Sequence, residues 1–178
     1  MAGAPIVLVI MGVSGSGKST LGRRLAERLG WPFQEGDDLH PPVNVAKMEA
    51  GTPLDDADRA PWLAAVGRWI DDRTRAGSGG VITCSALKRA YRELLSRGRP
   101  QVRFVFLNGA REAIAARLAG RHGHFMPPDL LTSQFADLEP PGPDEHPIAV
   151  DIAQSPGAQA DGVVAALATD PESLTRWP

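Results

Sequence analysis

The run Gly12-Val13-Ser14-Gly15-Ser16-Gly17-Lys18-Ser19 constrains this chain more than any other stretch. It satisfies G-x-x-x-x-G-K-[ST] at every fixed position, a spacing that wraps backbone N–H groups around phosphate oxygens. Glycines let the loop curl tightly, and the start of the following helix adds partial positive charge at the same place. Ile6-Val7-Leu8-Val9-Ile10-Met11 enters the loop as a continuous apolar run. Such a run reads as a strand covered on both faces, hence part of a parallel sheet. It is far too short to span a bilayer and lacks a basic leader, so it is no signal peptide. The loop is left by a predicted helix over Lys18–Leu29, with Leu21, Leu25 and Leu29 on one face and Gly30 as its stop.

The alternation of strand and helix then continues. Strands are predicted at 33–36, 81–84, 102–107 and 148–152, and helices at 44–50, 57–75, 86–96, 110–121, 129–138 and 158–168. Pro61 is expected in the first turn of its helix. This pattern is that of an α/β chain with one mainly parallel sheet. With the phosphate loop, it predicts a three-layer P-loop fold of the nucleoside-kinase type, with five strands and a small helical lid. The 178 residues suit a single domain over 1–168, with the lid at about 117–138 and a tail at 169–178.

Charge narrows the partners. The net charge of −2 gives no global attraction to nucleic acid or to an anionic membrane, so recognition of anions has to be local. A single cysteine, Cys84, excludes an internal disulfide and reads as a small core residue. The cytoplasm is the default compartment.

Within the loop, Lys18 is placed to reach the β- and γ-phosphates of ATP, and the Ser19 hydroxyl to ligate Mg²⁺. The strand Val81-Ile82-Thr83-Cys84 ends without an Asp. A hydrolytic switch or motor usually needs one there, which favours transfer to a second substrate. Glu35 and Asp37, at the end of the second strand, supply two carboxylates on one side of an extended chain. Transfer to an alcohol needs a carboxylate that orients the hydroxyl and takes its proton. Asp37 is the candidate for that role, with Glu35 near the metal; which of them contacts Mg²⁺, directly or through water, stays open. Asp38 fits better as a turn cap before Pro41-Pro42.

Two basic clusters are candidates for an anionic acceptor: Arg59, and the group Lys88, Arg89 and Arg92 after Cys84-Ser85. Lys88 and Arg92 stand one helical turn apart, and a guanidinium fork suits a carboxylate. Arg117 and Arg121 share a face near His122-Gly123-His124-Phe125-Met126-Pro127-Pro128, a candidate lid whose arginines are placed to clamp the transferring phosphoryl group. His122 and His124 lack a third ligand at metal spacing.

Taken together, the motifs resemble the bacterial P-loop gluconokinase family, related to shikimate kinase and adenylate kinase. The stretches that carry the resemblance are Gly12–Thr20, Glu35–Pro41 with Asn44, Lys47 and Met48, and Gly51–Leu54. Further along come Asp58-Arg59, Pro61–Leu63, Cys84–Lys88, Tyr91-Arg92, Arg121 with Gly123–Phe125, Leu131, Gln134-Phe135, Asp151-Ile152 and Gln154. The resemblance implies transfer from ATP to D-gluconate with Mg²⁺, giving 6-phospho-D-gluconate, by a homodimer. It implies nucleotide contacts from Gly12, Val13, Ser14, Gly15, Ser16, Gly17, Lys18, Ser19 and Thr20, and from Arg117, Arg121, Gln154 and Pro156. It places acceptor contacts at Asp37, His40, Arg59, Lys88, Arg92, His124 and Gln134. Shikimate kinase is the same-fold rival, but its triple-glycine signature is missing at the third strand, where Gly79-Gly80 stands instead. A nucleotide-binding module without catalysis is the rival from another class; Glu35, Asp37 and the lid arginines argue against it.

Overall fold

A computed structural model describes residues 5–121 and 128–169. Five strands form one sheet: β1 (Val7–Met11), β2 (Phe33–Gln34), β3 (Gly80–Thr83), β4 (Val102–Asn108) and β5 (Ile148–Asp151). Their order is β2-β3-β1-β4-β5, and every pairing is parallel. The helices are α1 (Lys18–Leu29), α2 (Pro42–Glu49), α3 (Asp56–Arg75), α4 (Arg89–Ser96), α5 (Arg111–Ala119), α6 (Pro128–Asp137) and α7 (Pro156–Thr169).

The unbroken apolar run of β1 follows from its central position. All five residues are fully buried, and successive side chains point to opposite faces. Leu8 and Ile10 pack with Leu21 and Leu25 of α1, Ile114 of α5 and Val163 of α7. Val7, Val9 and Met11 pack with Trp62, Val66 and Ile70 of α3 and Leu95 of α4. Two cores on two sides of one sheet make the three layers, and both leave the C-terminal strand ends open, where open α/β sheets bind ligands.

The helix ends follow local chemistry. Gly30 closes α1 in the left-handed region (φ 67°), with its N–H on the Ala26 and Glu27 carbonyls. Asp55 opens α3 with a reciprocal capping box: it accepts from the Asp58 N–H at 2.7 Å, and the Asp58 carboxylate accepts from the Asp55 N–H at 3.0 Å. Because α3 starts at Asp56, Pro61 stands in its second turn rather than its first.

Two elements differ from the sequence expectation in ways that shape the site. β2 stops at Gln34, and Gly36–Leu39 is a 3₁₀ turn. Gly36 lies flat on the end of β3, where an added Cβ would come within 1.7 Å of the Thr83 carbonyl oxygen. Strand alternation therefore does not orient Glu35 and Asp37; the turn does. The helix expected from Ala86 begins only at Arg89, because Ala86 adopts φ 45°, outside the right-handed helical region. Among the described residues, no helix is long and apolar enough to cross a membrane.

Candidate active site

The phosphate loop bridges the C-terminal end of β1 and the first turn of α1. It is tied to the core by the Gly12 N–H on the Ser85 carbonyl and the Ser16 N–H on the Val13 carbonyl. Gly15 shows why the loop tolerates no side chain there. Its φ is +81°, and a Cβ would meet Leu118 of α5 at 2.7 Å. Lys18 folds back over the loop, with Nζ donating to the carbonyls of Gly12 and Val13, both at 3.0 Å. Burial lowers the Lys18 pKa, with the Asp37 carboxylate opposing the shift.

The loop forms one wall of a cleft of about 920 Å³. Ser14, Gly15, Gly17, Lys18, Ser19 and Thr20 line its phosphate side, and Glu35 and Asp37 face them. Glu35 is held in place by the Thr83 hydroxyl, which donates to its carboxylate while accepting from the Gly36 N–H at 2.9 Å. Arg23 lies 3.8 Å from the same carboxylate. Thr83 thus stands where the strand lacks an Asp, and it positions a carboxylate instead of supplying one.

His40, Arg59 and Trp62 line the far side. His40 stacks on Trp62 with ring centroids 4.3 Å apart and planes 14° apart. Its Nδ1 lies 3.2 Å from Asn44 Nδ2, which donates to the Asp58 carbonyl. Burial holds the His40 pKa below the ordinary histidine value, the Asp37 carboxylate opposing and Arg59 adding to the shift. Arg59 Nη1 donates to the Tyr91 hydroxyl at 3.0 Å and to Asp137 at 3.1 Å. From α6, Gln134 closes over the loop and takes the Ser14 N–H on its side-chain oxygen at 2.6 Å.

The residues implied for the nucleotide fall in two places. Arg121 lines the cleft. Arg117 lies 3.9 Å from where a Gly17 Cβ would stand, and its guanidinium donates to the Ile152 carbonyl, linking the loop to the turn after β5. Gln154 is exposed on that turn and Pro156 at the first residue of α7, and the ends of β4 and β5 before them line a smaller hollow of about 420 Å³. His124 lies outside the described residues.

Two acceptor candidates sit elsewhere. Arg92 is 1% exposed, and its guanidinium is fully engaged. Nε and Nη2 donate to the two Glu145 oxygens at 2.6 and 3.0 Å, and Nη1 donates to the Ala86 and Leu87 carbonyls. It holds the bend before α4 and has no fork left for a substrate. The one-face relation expected between Lys88 and Arg92 also fails, because Lys88 precedes the helix in extended conformation. Lys88 instead donates to Asp56 at 2.9 Å, beside Tyr91. Trp62, Thr83, Tyr91 and Asp137 enter the site without having been singled out for it from the sequence. Of these, Trp62 and Tyr91 stand within stretches that carry the family resemblance, whereas Thr83 and Asp137 do not.

This geometry joins a phosphate loop, a carboxylate pair and a guanidinium in one cleft, as a kinase for a small anionic alcohol requires. A family model described as an AAA domain matches residues 7–141. A curated gluconokinase of Gluconobacter oxydans is 56% identical over 146 residues, covering 82% of each chain. The chain belongs to the gluconokinase family. A solved gluconokinase from Sinorhizobium meliloti superposes with a TM-score of 0.83 at 47% identity, over 93% of both chains. A sugar kinase from Janibacter superposes with a TM-score of 0.87 at 45% identity, covering 97% of this chain and 99% of that one. Both solved structures share the overall fold described above.

Proposed function

We propose that this chain transfers the γ-phosphoryl group of ATP to the primary alcohol of D-gluconate, forming 6-phospho-D-gluconate and ADP. The observation that carries the reading is the convergence of Lys18, Asp37 and Arg59 on one cleft. Each answers a different need: charge at the phosphoryl group, a proton acceptor at the alcohol, and a cation for the acid.

Asp37 orients the acceptor hydroxyl and takes its proton as the new P–O bond forms. Lys18 exchanges its two loop carbonyls for phosphate oxygens, which restores a full counter-charge to a buried ammonium. The backbone N–H groups from Val13 to Thr20 hold the remaining oxygens, and Arg121 adds positive charge to the phosphoryl group in flight. Arg117, Gln154 and Pro156 flank the nucleotide base. Arg59 takes the gluconate carboxylate, while His40, neutral on its Trp62 stack, and Gln134 serve the sugar-acid hydroxyls.

Mg²⁺ fits the donors present: the Ser19 hydroxyl on the loop and the Glu35 carboxylate facing it across the cleft would hold the ion. Held there, it would supply neutralisation of the phosphate charge. Lys88 acts at one remove, through Asp56 and Tyr91. We further place the protein in the cytoplasm as a homodimer, with the segment at about 117–138 as its lid and no nucleic-acid or membrane partner.

The reading is tested by ADP release with D-gluconate and with shikimate as separate acceptors. Turnover with D-gluconate well above that with shikimate is the expected result; turnover with neither, or with shikimate alone, overturns it.

A further inference from the structure

Arg59, the cation assigned above to the acceptor carboxylate, is already paired with a carboxylate of the protein itself. Asp137 ends α6 and meets Arg59 Nη1 at 3.1 Å, with the two side chains only 29% and 12% exposed. Around this pair the charges cancel. Arg59 and Lys88 supply two cations, and Asp137 and Asp56 supply two carboxylates, linked through the Tyr91 hydroxyl, which accepts from Arg59 and donates to Asp56. An acid arriving beside this set meets no net positive charge, and Asp37 lies on the same cleft. Arg59 meets Tyr91 and Asp137 through Nη1, and its charge goes fully to the acid when one internal carboxylate gives way.

Asp137 is the one able to do so. Asp56 belongs to the first turn of α3 and accepts from both Lys88 and Tyr91. The Asp137 carboxylate sits at the last residue of α6. Three residues earlier on the same helix face, Gln134 places its amide oxygen on the Ser14 N–H of the phosphate loop. One helix face thus puts an oxygen on a loop amide and a carboxylate on the acceptor guanidinium, the same two chemical groups that a phosphate and a sugar acid would present.

Resting on the gluconate reading, we propose that Asp137 is an internal competitor of the acceptor's carboxylate for Arg59, and so sets the affinity for the acid. Binding of the acid exchanges one carboxylate for another on Arg59 and releases the C-terminal end of α6 from α3.

The test is Asp137→Asn, which keeps the shape and removes the charge. At saturating ATP, KM for D-gluconate falls by about three- to tenfold, as expected for loss of a partly exposed competing ion pair. Inhibition by the uncharged polyol D-sorbitol, which has no carboxylate to exchange, stays as in the wild type. Asp137→Ser is measured beside it, with thermal melting of both variants, so that a folding defect in one does not decide the matter. A folded variant whose KM for D-gluconate is unchanged or raised overturns the proposal and makes Asp137 an orienting partner of Arg59. A parallel shift for D-sorbitol also overturns it. A wild-type protein without gluconate-dependent ADP release refutes the acceptor assignment itself, and is recognised before any variant is compared.

Discussion

The Ser14 N–H of the phosphate loop donates to the side-chain oxygen of Gln134 at 2.6 Å, across 120 residues of sequence. The contact joins the loop that opens the chain's chemistry to α6, far along the sequence. It also shows that the loop N–H at Ser14 faces the cleft and donates to an oxygen partner there.

Replacing that neutral oxygen by a charged one gives the first prediction. In Gln134→Glu, a carboxylate stays on the Ser14 N–H, where a charge-assisted bond is stronger than a neutral one. It competes with the nucleotide's phosphates and repels them. KM for ATP is expected to rise about tenfold, equivalent to about 1.4 kcal/mol, in steady-state assays at saturating gluconate. An unchanged KM for ATP would separate this contact from nucleotide binding.

The second prediction concerns Arg92, whose guanidinium is held by Glu145 and by two carbonyls in a site that is 1% exposed. Arg92→Leu leaves Glu145 and the bend at Ala86 without their partner. Breaking a buried pair from one side costs about 3–5 kcal/mol. Urea unfolding is expected to show a loss in that range. KM for D-gluconate in the residual folded protein stays close to the wild-type value, whereas a rise of tenfold or more with unchanged stability would return Arg92 to the acceptor site.

Much of the architecture was legible from the chain because its signals are local. The apolar run of β1, the loop spacing and Gly30 each act within a few residues. What was not legible depends on partners far along the chain. Arg92 meets Glu145 across 53 residues and Arg59 meets Asp137 across 78, and no periodicity records such pairings. The late start of α4 arises from the left-handed Ala86, a residue type whose propensity favours the helix. The 3₁₀ turn after β2 comes from the close approach of Gly36 to β3, so the placement of the carboxylates at 35 and 37 follows from that turn and not from strand alternation.

The third prediction is a pH dependence. Burial places the folded His40 pKa below its ordinary value of 6.5, so between these two values the unfolded chain binds more protons than the folded one. Stability therefore falls as pH drops below 6.5 and is recovered above it. Comparing urea midpoints from pH 7.5 to 5 in wild type and His40→Gln isolates this contribution. The wild type is expected to lose stability more steeply than the variant over that range; parallel curves would remove His40 from the account.

The central claim is transfer from ATP to gluconate with Asp37 as proton acceptor, and one measurement addresses it most directly. Coupled release of ADP and 6-phosphogluconate is followed for the wild type and Asp37→Asn at saturating ATP and D-gluconate, with ATP binding measured separately by calorimetry. The account predicts equimolar products from the wild type. For the variant it predicts retained ATP binding with kcat lower by about 10²-fold or more. A wild type that forms no 6-phosphogluconate, or a variant that turns over at the wild-type rate, would contradict it.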